Sequence, residues 1–107
     1  MNFSKLPHLR VRVLFKERLD GQVRWRALYP PMFGAFIKVD DSVYECRIYF
    51  EDDGIVYPGT ARTFKVFFLR SEEVIPRFSV GDGFQLNTLE ILGDGTVLEV
   101  MSGTETS

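Results

Sequence analysis

Leu9-Arg10-Val11-Arg12-Val13-Leu14-Phe15-Lys16 sets Leu9, Val11, Val13 and Phe15 at every second position, with Arg10, Arg12, Leu14 and Lys16 between them. Side chains of an extended strand point alternately to opposite faces, so a period of two marks a strand with one buried side. The same period returns along the chain. Val23, Trp25 and Ala27 alternate with Arg24, Arg26 and Leu28; Tyr44, Cys46, Ile48 and Phe50 alternate with Val43, Glu45, Arg47 and Tyr49. Phe64, Val66 and Phe68 share a third face, and Phe84 with Leu86, then Val97 through Met101, complete about six strands.

Turn residues separate these runs: Asp20-Gly21, Asp52-Asp53-Gly54, Tyr57-Pro58-Gly59-Thr60, Gly81-Asp82-Gly83 and Gly93-Asp94-Gly95. All carry residues suited to positive φ. Pro58-Gly59 fits the centre of a type II turn, where proline presets φ and glycine accepts φ > 0. Helical spacing is confined to one short turn at Ser71 to Ile75. Many short strands with frequent turns predict an all-β fold, and closure into a barrel removes the exposed edges. We expect one domain over residues 9–101, with tails at 1–8 and 102–107.

The 107 residues are 45% hydrophobic and include ten Phe, enough apolar mass for one core that needs no metal or disulfide staple. The single cysteine, Cys46, excludes an internal disulfide and points to a reducing compartment. Met1 to Pro7 lacks the apolar stretch of an export signal, and no apolar run approaches the ~18 residues of a spanning helix, so the expected location is cytoplasmic. The formal net charge of −2 hides an asymmetry. Lys5, Arg10, Arg12, Lys16, Arg18, Arg24 and Arg26 precede residue 27 against only Glu17 and Asp20, and the rest of the chain is acidic.

Tyr29-Pro30-Pro31-Met32-Phe33, Pro58-Gly59-Thr60, Phe64-x-Val66-x-Phe68, Phe84-Gln85-Leu86 and Gly93-Asp94-Gly95-Thr96-Val97 follow one another in a familiar order and spacing. Through them, residues 9–101 resemble the C-terminal β-barrel domain of elongation factor Tu and its translation-factor relatives. The resemblance implies a six-stranded antiparallel closed Greek-key barrel. In elongation factor Tu that barrel helps hold the T-stem of aminoacyl-tRNA and packs against a nucleotide-binding domain. Here Asp20-Gly21-Gln22 and Asn87-Thr88-Leu89-Glu90-Ile91 replace the family's polar glycine–arginine segments. No G-x-x-x-x-G-K-[ST] run occurs, which excludes GTP as a ligand of the familiar kind.

The residue inventory argues against catalysis. An enzyme needs a nucleophile, an acid–base group or a metal in convergent geometry. His8, the only histidine, follows Pro7 at the edge of a tail and reads as a surface residue. Cys46 lies on an apolar strand face and reads as a core thiol. One His and one Cys cannot assemble a zinc site, and no calcium-loop spacing follows Asp52. The acidic pairs Asp40-Asp41, Asp52-Asp53 and Glu72-Glu73 read as turn and solvation chemistry. We expect no cofactor, metal or nucleotide.

Two surfaces remain as candidates for binding. If residues 9–28 form a hairpin with a three-residue Leu19-Asp20-Gly21 loop, Phe15 faces Trp25 and Val13 faces Ala27. Arg10, Arg12, Lys16, Arg24 and Arg26 then share an outward basic face for an anionic partner. Neutralisation of that face by acids on other strands is the alternative. The second surface is apolar: with Phe64, Val66 and Phe68 inside, Phe67 and Leu69 point outward. Tyr29 and Phe33 are further contact or stacking candidates. The sequence therefore predicts a non-catalytic binding module. A protein partner or self-association through the apolar face is the first reading, and RNA or ribosome binding through the basic face is the second.

Overall fold

Burial alternates along β1 (Leu9–Phe15) as the sequence requires: Leu9, Val11, Val13 and Phe15 are buried, while Arg12 and Leu14 are exposed. Four such side chains contribute on the order of 6–12 kcal/mol before the entropy cost of ordering them. The computed structural model describes residues 8–17, 27–69, 74–88 and 90–101. The other strands are β2 (Met32–Val39), β3 (Ser42–Phe50), β4 (Ala61–Phe68), β5 (Gly83–Asn87) and β6 (Ile91–Val100). A 3-10 turn spans Ile75–Arg77, directly after the helical residue Val74.

The strands close into an antiparallel barrel in the order β1-β4-β3-β2-β5-β6. β2, β3 and β4 form a meander, and β1 returns to lie beside β4, which makes a Greek key. The inward residues of all six strands meet in one core, with Phe15, Phe64, Ile37, Ile48, Leu86 and Val97 among its members. Phe64 makes T-shaped contacts with Phe15 and Phe50 at ring-centroid distances of 5.8 and 5.3 Å, the arrangement that aromatic quadrupoles favour.

The turn chemistry holds in several places. Gly59 has φ 85° and the Thr60 amide donates to the Tyr57 carbonyl, as a type II turn at Pro58-Gly59 demands. Asp40-Asp41 links β2 to β3 in a two-residue loop, with Asp40 at φ 54°, a left-handed conformation that a short polar side chain tolerates. The Asp52 carboxylate accepts the Gly54 amide at 2.8 Å, an Asx turn.

Several sequence expectations need correction. The hairpin partner expected for β1 falls largely on residues 23–26, outside the described residues, and β1 has its neighbours elsewhere. Its two edges are taken by β4, which sets Val13 opposite Arg62, and by β6, which sets Val13 opposite Gly95. Phe15 stands opposite Gly93 and its amide donates to the Thr60 carbonyl. The Asp20-Gly21 turn, Trp25, Arg24 and Arg26 lie outside the described residues. The strand that follows β1 among the described residues is β2, whose apolar residues on both faces mask its period.

Leu28, expected on the outside, packs against the core. Gly93-Asp94-Gly95 is not a turn but the middle of β6. Glycine is needed there for close approach, since a Cβ on Gly93 would strike the Leu14 backbone and one on Gly95 the Phe84 ring. Of the stretch expected to make one short helical turn, Ser71 to Glu73 lie outside the described residues, Val74 is helical, and a 3-10 turn follows at Ile75–Arg77.

Candidate interaction surfaces

The outer wall of β3 and β4 carries the first apolar cluster. Cys46, Ile48 and Phe50 pair inward with Phe68, Val66 and Phe64, so Arg47 and Tyr49 pair outward with Phe67 and Lys65. Phe67 therefore faces out, as the sequence predicts, yet it is only half-exposed. The Tyr49 ring meets it edge-on at 5.1 Å and the His8 ring lies 5.6 Å away. Leu69, at the end of β4, is 50% exposed. Arg47 is held by Glu45 at 3.6 Å.

His8 is not a loose surface residue. Its amide donates to the Val66 carbonyl and its carbonyl accepts the Met101 amide, so it extends β1 by one residue between β4 and β6. Its Nδ1 accepts the Phe68 amide at 2.8 Å, and its ring lies parallel to the Phe68 ring, 5° between planes. Burial holds its pKa below the ordinary 6.5, because the cation loses hydration there.

The second cluster stands on a short ribbon outside the six-stranded wall. Leu28 and Val56 exchange both amide hydrogen bonds at 2.9 Å, forming an isolated antiparallel pair. Their side chains turn toward the core, Val56 fully buried and Leu28 packed against it. Alternation sends the flanking residues the other way: Tyr29 opposite Ile55, with Tyr57 diagonal to Tyr29. Tyr29 is 61% exposed, Tyr57 54% and Ile55 36%. Arg62 braces this ribbon, donating to the Ile55 carbonyl at 3.2 Å and to the Asp52 carboxylate at 2.6 Å. Tyr29 was legible as a candidate; Ile55 and Tyr57 were missed. The alternation of Ile55, Val56 and Tyr57 is too short to stand out between two turns.

Phe33, the remaining apolar candidate, points inward. It packs edge-on against Phe50 at 6.0 Å and Phe64 at 6.3 Å, closing one end of the core. It offers no stacking face comparable with Tyr29.

The basic candidates are less uniform than their sequence spacing implies. Arg10 donates to both Glu51 carboxylate oxygens, at 2.8 Å from Nε and 3.3 Å from Nη2, and Thr63 donates a third bond to Glu51 at 2.8 Å. The Arg10 hydrogen bond is the main cause that holds the Glu51 carboxyl below its ordinary pKa. Arg12 is exposed on the same side of β1, between Thr63 and Thr96, and Lys16 is half-buried just past the strand's end. Arg24 and Arg26 lie outside the described residues. Among the described members of the set, Arg10 thus spends its charge on an internal partner.

Cys46 is buried, and burial pushes its thiol up to about 12, so little nucleophilic thiolate forms near neutral pH. Among the described residues no three His, Cys, Asp or Glu side chains gather as a metal ion would need, and no helix is long and apolar enough to cross a membrane. No family model matches the chain, and no curated protein matches it.

Proposed function

We propose that this barrel is a non-catalytic binding module that docks a protein partner through the outward side of the Leu28–Val56 ribbon. The observation that carries the reading is the grouping of Tyr29, Ile55 and Tyr57 on that side, two of them more than half exposed. Tyrosine suits such a role: a large, stiff ring supplies contact area at low entropy cost, and its hydroxyl keeps the free surface wet. Leu69, just past the end of β4, is a separate, smaller contact. The two side chains best equipped for chemistry are occupied otherwise, His8 as an amide acceptor and Cys46 as a core thiol. The resemblance to the C-terminal barrel of elongation factor Tu, a barrel that works by binding, supports the same reading.

A second copy of the chain is the simplest partner to test. Sedimentation at rising concentration should show self-association of the wild type that changes little with salt, and loss of it in Tyr29→Ser/Tyr57→Ser. A wild type that stays monomeric and instead binds single-stranded RNA, with an affinity that falls steeply as salt rises, would replace this reading with the RNA one.

A further inference from the structure

His8 makes three hydrogen bonds that join three strands, and one of them depends on its protonation state. Its backbone amide and carbonyl engage Val66 of β4 and Met101 beyond β6. These two survive any change of charge. The third, from the Phe68 amide to Nδ1 at 2.8 Å, requires a lone pair on Nδ1. In the neutral ring Nε2 therefore carries the proton. Adding a second proton to Nδ1 turns the acceptor into a donor that faces another donor. The Phe68 amide is then orphaned in a part-buried position, and the ring must turn away.

The ring also serves as a cover. It lies parallel to Phe68, and at 5.6 Å and 60° it overlaps the flank of Phe67. Turning it out withdraws the imidazole from Phe67, which keeps its edge-on contact with Tyr49.

We propose that His8 is a proton-operated clasp: neutral, its ring closes the Phe68 amide and packs on Phe67; protonated, the ring leaves both, while the backbone bonds of His8 remain. The proposal does not depend on the docking role of the Tyr29–Tyr57 ribbon.

The charges around the ring do not offset this. On β1 and β4 the same outer face carries Arg10 and Lys65, and β3 presents Arg47 opposite Phe67. Arg10 is held by Glu51 and Arg47 by Glu45, while Glu99 on β6 stands opposite Arg10 rather than His8. No carboxylate contacts the imidazole among the described residues, so nothing at hand rewards the cation. Burial lowers the pKa of His8 from 6.5, in keeping with the geometry. The sign follows. The unfolded chain takes up the proton first as pH falls below 6.5, so the contribution of the clasp is fully present above that value. It is lost progressively until pH passes the lowered folded-state value.

The chain has one histidine, so its imidazole carbon resonance is unambiguous. Titrated by NMR, His8 should show a midpoint below 6.5, and the Phe68 amide nitrogen should shift with the same midpoint. His8→Asn places a carbonyl oxygen where Nδ1 stood and removes the titration. Relative to that variant, the wild-type folding constant should fall tenfold for each unit by which the His8 midpoint lies below 6.5. A midpoint at or above 6.5, a Phe68 amide that ignores it, or equal pH profiles for wild type and variant would overturn the clasp. If His8→Asn does not fold, the two wild-type midpoints decide the matter.

Discussion

Phe67 and Tyr57 both stand on the outside of the barrel, but Phe67 is half covered and Tyr57 is 54% exposed. The difference lies in what stands beside each. Phe67 sits in the closed wall, with β3 on one side and the start of β1 on the other, so cross-strand neighbours on both flanks reach its ring. Tyr57 sits on a ribbon of one hydrogen-bonded pair. A closed sheet covers part of its own outer apolar residues through their neighbours; a two-stranded ribbon leaves its outer face to solvent or to a partner. Outward apolar residues therefore mark a contact surface more strongly on the ribbon than on the wall.

Mutations grade this comparison, beginning inside the wall. Phe68 is 2% exposed and stacks on Phe78 at 5.5 Å, with the Tyr44 ring edge-on at 6.4 Å. Phe68→Ala should cost about 3–5 kcal/mol in urea unfolding, by lost transfer energy and a residual cavity. Its neighbour Phe67 should cost less: Phe67→Ser forfeits the Tyr49 and His8 contacts and should lose about 1–2 kcal/mol. A loss near zero would mean that those rings do not cover it. A loss equal to that of Phe68→Ala would mean that the inward and outward sides of β4 were misassigned.

What was legible in the sequence is the side each residue takes within a strand. The period of two placed Leu9, Val11, Val13, Phe15, Phe64, Val66 and Phe68 inside, and the structure buries all seven. Which strands lie side by side was not legible, because that depends on partners far along the chain. A hairpin between consecutive segments is the default expectation, yet β1 finds both neighbours in β4 and β6. The same blindness hid the role of His8, whose Nδ1 partner lies 60 residues away. β2 escaped for a local reason: Phe36 is exposed next to buried Ala35 and Ile37, so three consecutive apolar residues erase the alternation.

A smaller effect tests the ionic link on the wall. Glu51 bridges Arg10 of β1 and Thr63 of β4, and its pKa is lowered chiefly by the Arg10 hydrogen bond. A carboxylate with a depressed folded-state pKa stabilises fully above its unfolded value, ordinarily 4.5, and that contribution is lost as pH falls through the lowered value. Glu51→Gln should thus destabilise at neutral pH, by less than Phe67→Ser because the site is partly solvated. Wild type and variant should converge in acid. A difference that persists unchanged below the lowered value would show that the carboxylate charge contributes nothing.

The smallest effect on stability is expected at Tyr57. Its carbonyl accepts the Thr60 amide and, at 2.7 Å, the Thr60 hydroxyl, and these backbone bonds hold the turn whatever the side chain. Burial in the ribbon comes from Val56 and Leu28 on the other side. Tyr57→Ser should therefore stay within about 0.5 kcal/mol of wild type, the range of surface substitutions that touch no special feature. The same change should weaken association, since it removes half of the exposed tyrosine pair. Set beside Phe67→Ser, the two substitutions separate fold from contact: the wall residue moves stability, the ribbon residue moves binding. Should Tyr57→Ser instead cost as much stability as Phe67→Ser, its ring is part of the fold and the ribbon is not the docking surface.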